Sequence, residues 1–132
     1  MSVITVCKNA EKTINRTIES VLSQNYKNIE YIIIDGCSTD KTLDIINRYK
    51  NGISYCISEK DEGISDAFNK GINIATGEFI QILNADDYLP NDKIKKSIEI
   101  LLQYPDYAYC FGDIILTDEN YKTQLLIKGD PF

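Results

Sequence analysis

The 132-residue sequence contains no histidine. That absence removes every Ser-His and Cys-His catalytic arrangement and every imidazole-ligated metal site. A bound metal must then take oxygen ligands, and a general base must be a carboxylate or a rarer group. The four cysteines, at 7, 37, 56 and 110, include no Cys-x-x-Cys pair and no tight cluster. Disulfide frameworks and zinc sites need closer organisation, so this spacing predicts reduced thiols in a cytosolic protein. No apolar run approaches the about 18–20 residues that span a bilayer. The opening MSVITVCKN lacks the basic segment and long apolar core of a signal peptide, and reads as a strand that begins at once. Basic residues are outnumbered 14 to 20 and form no stripe of the kind that binds nucleic acid. A net charge of −6 still admits an anionic ligand if a divalent cation bridges the two. Neither a GxxxxGK[ST] loop nor a GxGxxG after the first strand is present, which excludes the two commonest phosphate-binding signatures.

What is present is the composition of an ordinary globular protein, 43% hydrophobic and 26% charged. The length suits one domain with its own core. Residues 2–7 form a β-branched run closed by Lys8-Asn9. Ile14, Ile18, Val21 and Leu22 then recur at helical spacing, which predicts an amphipathic helix over about residues 10–24. Tyr31-Ile32-Ile33-Ile34 in succession suits a strand buried on both faces, over residues 29–35. The turn Gly36-Cys37-Ser38-Thr39-Asp40 offers several N-caps for a helix whose face carries Leu43, Ile46 and Tyr49. The cycle repeats with a strand over 52–57, a polar loop over 58–63 and a helix striped by Ile64, Ala67, Phe68, Gly71, Ile72 and Ala75. A strand over 78–83 runs into Asn84-Ala85-Asp86-Asp87. A helix carrying Ile94, Ile98, Leu101 and Leu102 follows Pro90 and ends before Pro105. Residues 107–116 and 123–127 read as two strands joined by a turn at Asp118-Glu119-Asn120.

Strands alternating with helices imply crossover units and a mainly parallel sheet. Ligands of such sheets bind beyond the carboxyl ends of the strands. The polar clusters Lys8-Asn9, Asp35-Gly36, Ser58 to Asp61 and Asn84 to Asp87 all fall at those ends. Adjacent carboxylates such as Asp86 and Asp87 repel unless a cation lies between them, and Mg²⁺ or Mn²⁺ prefers such oxygen ligands. The same tetrapeptide also fits a solvated Asx turn. Asp35 is placed either to accept a nucleobase ring N–H or to serve as a turn residue. Asp61 lies in a charged loop that also reads as a solvated connection. Asp66 and Lys70 have the spacing of a surface ion pair.

The ordered set of motifs resembles the family 2 glycosyltransferases of the GT-A fold. It comprises Thr5-Val6-Cys7-Lys8-Asn9, Ser20-Val21-Leu22-Ser23-Gln24, Asp35-Gly36-Cys37-Ser38-Thr39-Asp40-Lys41-Thr42, Asp61-Glu62-Gly63, Asn69-Lys70-Gly71, Ala75-Thr76-Gly77-Glu78 and Leu83-Asn84-Ala85-Asp86-Asp87. The similarity runs in unbroken order from residue 2 to about 90. It implies an α/β, Rossmann-like GT-A domain: a mainly parallel sheet flanked by helices, with a C-terminal strand pair. It also implies a nucleotide-binding set of Val6, Asn9, Asp35, Asp61, Asn84 and Ala85. Asp35 accepts the base N–H in that scheme, and Asn84-Ala85-Asp86 stands at the DxD position. Asp86 and Asp87 then hold Mg²⁺ or Mn²⁺. Three departures stand out. Gly36 replaces a second aspartate, Asn84 replaces an aspartate, and Phe68 replaces an arginine of the third helix.

The implied reaction is inverting transfer of a sugar from a UDP-, GDP- or dTDP-sugar to a glycan or lipid-linked acceptor. The setting is cytoplasmic or peripheral at the inner face of a membrane, with a homodimer left open. That reaction needs a carboxylate base on the far side of the anomeric carbon. Asp113 is the one candidate nominated here. The resemblance places the base beyond the DxD region, so residues 1–132 read as a single donor-binding domain truncated at its C-terminus, able to bind donor but not to transfer sugar. The reading from another class is a non-catalytic nucleotide-sugar-binding module. A phosphatase-like enzyme with Asp35 as nucleophile would want a second aspartate at position 37, where Cys37 stands.

Overall fold

The computed structural model describes residues 1–118, 120 and 122–129. They gather into two units, the first ending at Lys95 and the second beginning at Lys96. The first is a parallel four-stranded sheet of β1 (Ser2–Cys7), β2 (Glu30–Asp35), β3 (Tyr55–Ser58) and β4 (Ile80–Asn84), in the order β3-β2-β1-β4. The helices α1 (Ile14–Leu22), α2 (Thr42–Arg48) and α3 (Ile64–Ile74) connect successive strands. All six residues of β1 are buried, as are Tyr31 to Asp35 of β2. This is the burial expected of central strands covered on both faces. Val3 pairs with Tyr31 and Ile4 with Ile32, so the chemistry-bearing ends Cys7 and Asp35 also lie side by side.

Ile4, Val6, Ile32 and Ile34 point to the face on which α3 packs through Ala67. Gly71 is what allows that helix to come so close. A Cβ at position 71 would lie 2.4 Å from Cγ2 of Ile4. The predicted strand over 52–57 is shorter, Tyr55–Ser58, because residues 51–54 form a turn and bend. The helix predicted from residue 10 begins at Ile14, since 11–13 form a separate turn.

Helix α4 (Lys93–Gln103) runs from the first unit into the second. Its Ile94 is fully buried, whereas Leu102, assigned to the same apolar face by spacing, is 62% exposed. In the second unit β5 (Ile114–Thr117) pairs antiparallel with β6 (Thr123–Ile127). Here the strand expected over 107–116 is corrected. Residues 107–113 form no strand, and their aromatics stack locally instead, Tyr104 on Tyr107 and Tyr109 on Phe111. Alternating aromatics satisfy a strand pattern, but a strand also needs a partner for its backbone groups. Of the turn expected at 118–120, Asp118 accepts the N–H groups of Asn120 and Lys122, while Glu119 lies outside the described residues.

Candidate functional site

Strands β1, β2 and β3 step outward in one direction, and β4 then returns to the other side of β1. The loops after β1 and β4 diverge at that reversal and leave a crevice beyond their carboxyl ends. A cleft of about 680 Å³ occupies it, with Val6, Lys8, Asn9, Asn84, Ala85 and Asp86 in its lining. Four of the six predicted nucleotide-contacting residues therefore meet at one cleft, together with one of the two predicted metal ligands.

The loops that form it are stitched to one another. Asn9 adopts left-handed backbone geometry (φ 52°), as does Cys37 (φ 56°), at the two adjacent strand ends. In this conformation the Asn9 N–H donates to Ser38 Oγ at 2.7 Å, and its side-chain oxygen accepts the Thr39 N–H at 2.8 Å. The N-cap of α2 is Lys41, and Asp40 just before it accepts the Thr42 N–H at 3.0 Å and the Glu11 N–H at 3.1 Å. Burial works to raise the Asp40 pKa, but the bonds from the Thr42 hydroxyl and these N–H groups outweigh it and hold the carboxyl below its usual range.

The turn at 84–87 is held from beneath by a stripe of buried polar side chains on and just after α1. The Thr17 hydroxyl lies 2.8 Å from the Ala85 carbonyl and 2.7 Å from that of Asp87. Ser20 Oγ accepts the Leu89 N–H, and Gln24 bonds Pro90 and Ile94. The family motif in the sequence includes Ser20 and Gln24 without giving them this role, and Thr17 is not part of it. The available signal was their own three-to-four-residue spacing beside Ile14, Ile18 and Val21. Asp86 and Asp87 are both exposed, and they are not equivalent. Asp86 faces the cleft, whereas Asp87 Oδ2 accepts the Asn84 amide at 3.1 Å.

Asp35 is fully buried. Its Oδ1 accepts from Ser38 Oγ and, at 3.6 Å, from the Cys7 thiol. Its Oδ2 accepts the Ser38 N–H at 3.0 Å and Ser58 Oγ at 2.6 Å. Burial, reinforced by this neighbouring carboxylate, pushes the Cys7 thiol well above its ordinary pKa. A nucleophilic role for Asp35 has no approach path in this arrangement.

Asp61 is half-buried in the loop after β3. Lys70 fixes that loop by donating to the Lys60 carbonyl at 2.7 Å, with Glu59 at 3.0 Å and Asp66 at 3.2 Å. The expected Asp66–Lys70 ion pair is thus one arm of a three-way clamp. Glu59, then Asp66, hold the Lys70 pKa above its usual value against partial burial. Phe68 packs against the core cluster rather than presenting a cation. Asp113 belongs to the second unit, where its carboxylate accepts the Gly129 N–H at 2.9 Å. All four cysteines are free thiols. Among the described residues no group of three or more acidic or cysteine side chains forms a metal cage, and no helix is long and apolar enough to cross a membrane.

The fold and sequence are similar to those of known proteins. The chain superimposes on Staphylococcus aureus TarS 1–349, solved in complex with UDP-GlcNAc, with a TM-score of 0.74 and 28% identity over 79% of this chain and 31% of that one. The mannosyltransferase PcManGT from Pyrobaculum calidifontis, solved with GDP-Man and Mn²⁺, gives 0.70 at 25% identity, covering 76% and 31%. The Escherichia coli β-1,3-glucosyltransferase WfaP, named for transfer from UDP-Glc to α-D-GlcNAc-diphosphoundecaprenol, is 40% identical over 89% of this chain and 49% of its own length. An uncharacterized glycosyltransferase of Haemophilus influenzae is 32% identical over all of this chain and 58% of its own. The chain therefore spans about half the length of the curated relatives it matches. These neighbours share the GT-A fold expected from the sequence, and the profile described as Glycosyl transferase family 2 matches residues 2–128. The chain belongs to glycosyl transferase family 2.

Proposed function

We propose that this chain supplies the donor-binding part of an inverting, metal-dependent glycosyltransferase. The observation that carries the reading is the cleft at the sheet's reversal point, which Lys8, Asn9, Asn84 and Asp86 line around a volume suited to a nucleotide sugar. The nucleobase lies toward the ends of β1 and β2, bounded by Val6, Asn9, Asp35 and Asp61. The ribose and diphosphate lie toward Asn84, Ala85 and Asp86. WfaP is named for a UDP-sugar, TarS was solved with one and PcManGT with a GDP-sugar, which supports a nucleoside diphosphate carrier without choosing its base.

The donor set fits Mg²⁺ or Mn²⁺. Asp86, an exposed carboxylate lining the cleft, would hold the cation, with water and diphosphate oxygens completing its coordination, the usual way these cations are held. Asp87, engaged by Asn84, stands behind it. The cation supplies charge neutralisation for the departing diphosphate. The chain's own contribution is to orient the donor and to hold the 84–87 turn in place through Thr17. Phe68 offers no charge, so the diphosphate relies on the two lysines that line the cleft, Lys8 and Lys12. Transfer also needs an acceptor surface and a carboxylate base, which we place outside the donor-binding unit. Asp113 remains the candidate within this chain.

Calorimetric titration of UDP and GDP with and without Mn²⁺ tests the reading. Binding that strengthens with Mn²⁺ and is largely lost in Asp86→Ala, with an unchanged melting temperature, supports it. Equal nucleotide affinity in EDTA overturns the metal assignment. Sugar turnover by the same preparation would separate an active transferase from a binding module.

A further inference from the structure

The family resemblance assigned recognition of the base to Asp35, yet the protein itself already supplies that carboxylate with four donors. A carboxylate has about four acceptor positions. Cys7 and Ser38 Oγ take Oδ1, and the Ser38 N–H and Ser58 Oγ take Oδ2. The residue is also fully buried, so a ligand would have to displace one of these bonds to reach it.

The next residue has no side chain, and another carboxylate occupies the space that one would fill. A Cβ built on Gly36 would lie 2.2 Å from Oδ2 of Asp61, 3.2 Å from its Cγ and 3.5 Å from Cδ of Lys8. Lys8 lines the cleft, so this position adjoins its base end. Asp61 is held there at its other oxygen, where Oδ1 accepts the Gly63 N–H at 3.1 Å. The loop behind it is fixed by Lys70 on Lys60 and Glu59, and by the Glu59 N–H on the Asp35 carbonyl at 2.9 Å.

Resting on the donor-site reading above, we propose that Asp61, seated in the gap left by Gly36, is the carboxylate that accepts the nucleobase ring N–H and sets base preference. Asp35 is then a strut that shapes the pocket floor. A carboxylate acceptor selects bases with a ring N–H on their pairing edge, namely uracil, thymine and guanine. It rejects cytosine and adenine, whose corresponding ring nitrogen is itself an acceptor and would meet the carboxylate lone pair to lone pair.

The test titrates UDP, dTDP, GDP, CDP and ADP, each with Mn²⁺, into the 132-residue chain and two variants. Wild type should bind at least one of UDP, dTDP and GDP about tenfold or more tighter than CDP and ADP, the ratio expected from a charge-assisted bond. Asp61→Asn should weaken the preferred nucleotide by a similar factor. It should also narrow the preferred-to-CDP ratio, because an amide can turn its NH₂ to the cytosine ring nitrogen. In Gly36→Ala the new methyl should push Asp61 Oδ2 aside, giving the same loss of preference with little change in melting temperature. A wild-type ratio retained in folded Asp61→Asn overturns the inference and leaves the donor site standing, as does a wild type that binds all five nucleotides alike. If wild type binds none of them, the donor-site reading falls and this inference falls with it.

Discussion

The side-chain amide of Gln24 donates to the Pro90 carbonyl at 2.7 Å, tying the residue just past α1 to the segment that follows the cleft's acidic turn. Its oxygen accepts the Ile94 N–H at 3.2 Å, so a single buried side chain anchors both sides of residues 91–93. Together with Thr17 and Ser20 it turns one face of α1 into a polar seat for residues 85–94. A buried amide with its partners in place rigidifies a loop, and the same amide removed leaves donors and acceptors without water or protein.

Gln24→Ala is therefore expected to cost about 1–3 kcal/mol, the penalty for stranding buried polar groups. Denaturant unfolding checks the magnitude. Mn²⁺-dependent nucleotide affinity should fall as well, because the Asp86 turn loses its footing. A variant that retains wild-type stability would show that the seat is dispensable.

Asp35 makes a sharper stability prediction than a binding one. Asp35→Asn swaps a charged acceptor of four bonds for a group with only one acceptor oxygen, so two donors face an NH₂. The expected loss is about 1–3 kcal/mol, read as a shift of the denaturation midpoint without a change in its slope. Nucleotide affinity measured well below that midpoint should fall less than in Asp61→Asn. The reverse order would return base recognition to Asp35.

Glu30 gives the fold an acid-sensitive fastening. The Ser2 hydroxyl donates to it at 2.5 Å, while the Thr76 N–H and hydroxyl each donate at 2.8 Å. The Ser2 bond, opposed by burial and aided by Thr76, lowers its pKa below the ordinary 4.5. A lowered folded-state pKa contributes stability that is present above the unfolded value and is lost as pH falls through the folded one. Wild type should therefore lose stability on going from about pH 6 to pH 3 more steeply than Glu30→Gln, whose amide does not titrate. Parallel urea midpoints across that range decide it, and identical slopes would refute the assignment.

The sequence by itself determined the element order, the parallel sheet and the gathering of polar loops at the strand ends. Those follow from local periodicity, as in Tyr31 to Ile34, and from the chirality of crossovers, which leaves few topologies open. It also marked Asp86 and Asn84, because an acidic turn directly after an apolar strand is visible in one dimension. Strand 107–116 failed because alternation cannot show whether the backbone finds a partner. Only the tertiary structure decided which carboxylates are free. Asp35, Asp61, Asp86 and Asp87 are alike in sequence, but pairing β1 with β2 encloses Asp35 among Ser38, Ser58 and Cys7. The Asn84 amide engages Asp87, and the gap at Gly36 receives Asp61. A side chain's availability to a ligand depends on what long-range neighbours already donate to it, and the linear order of residues does not encode those distances.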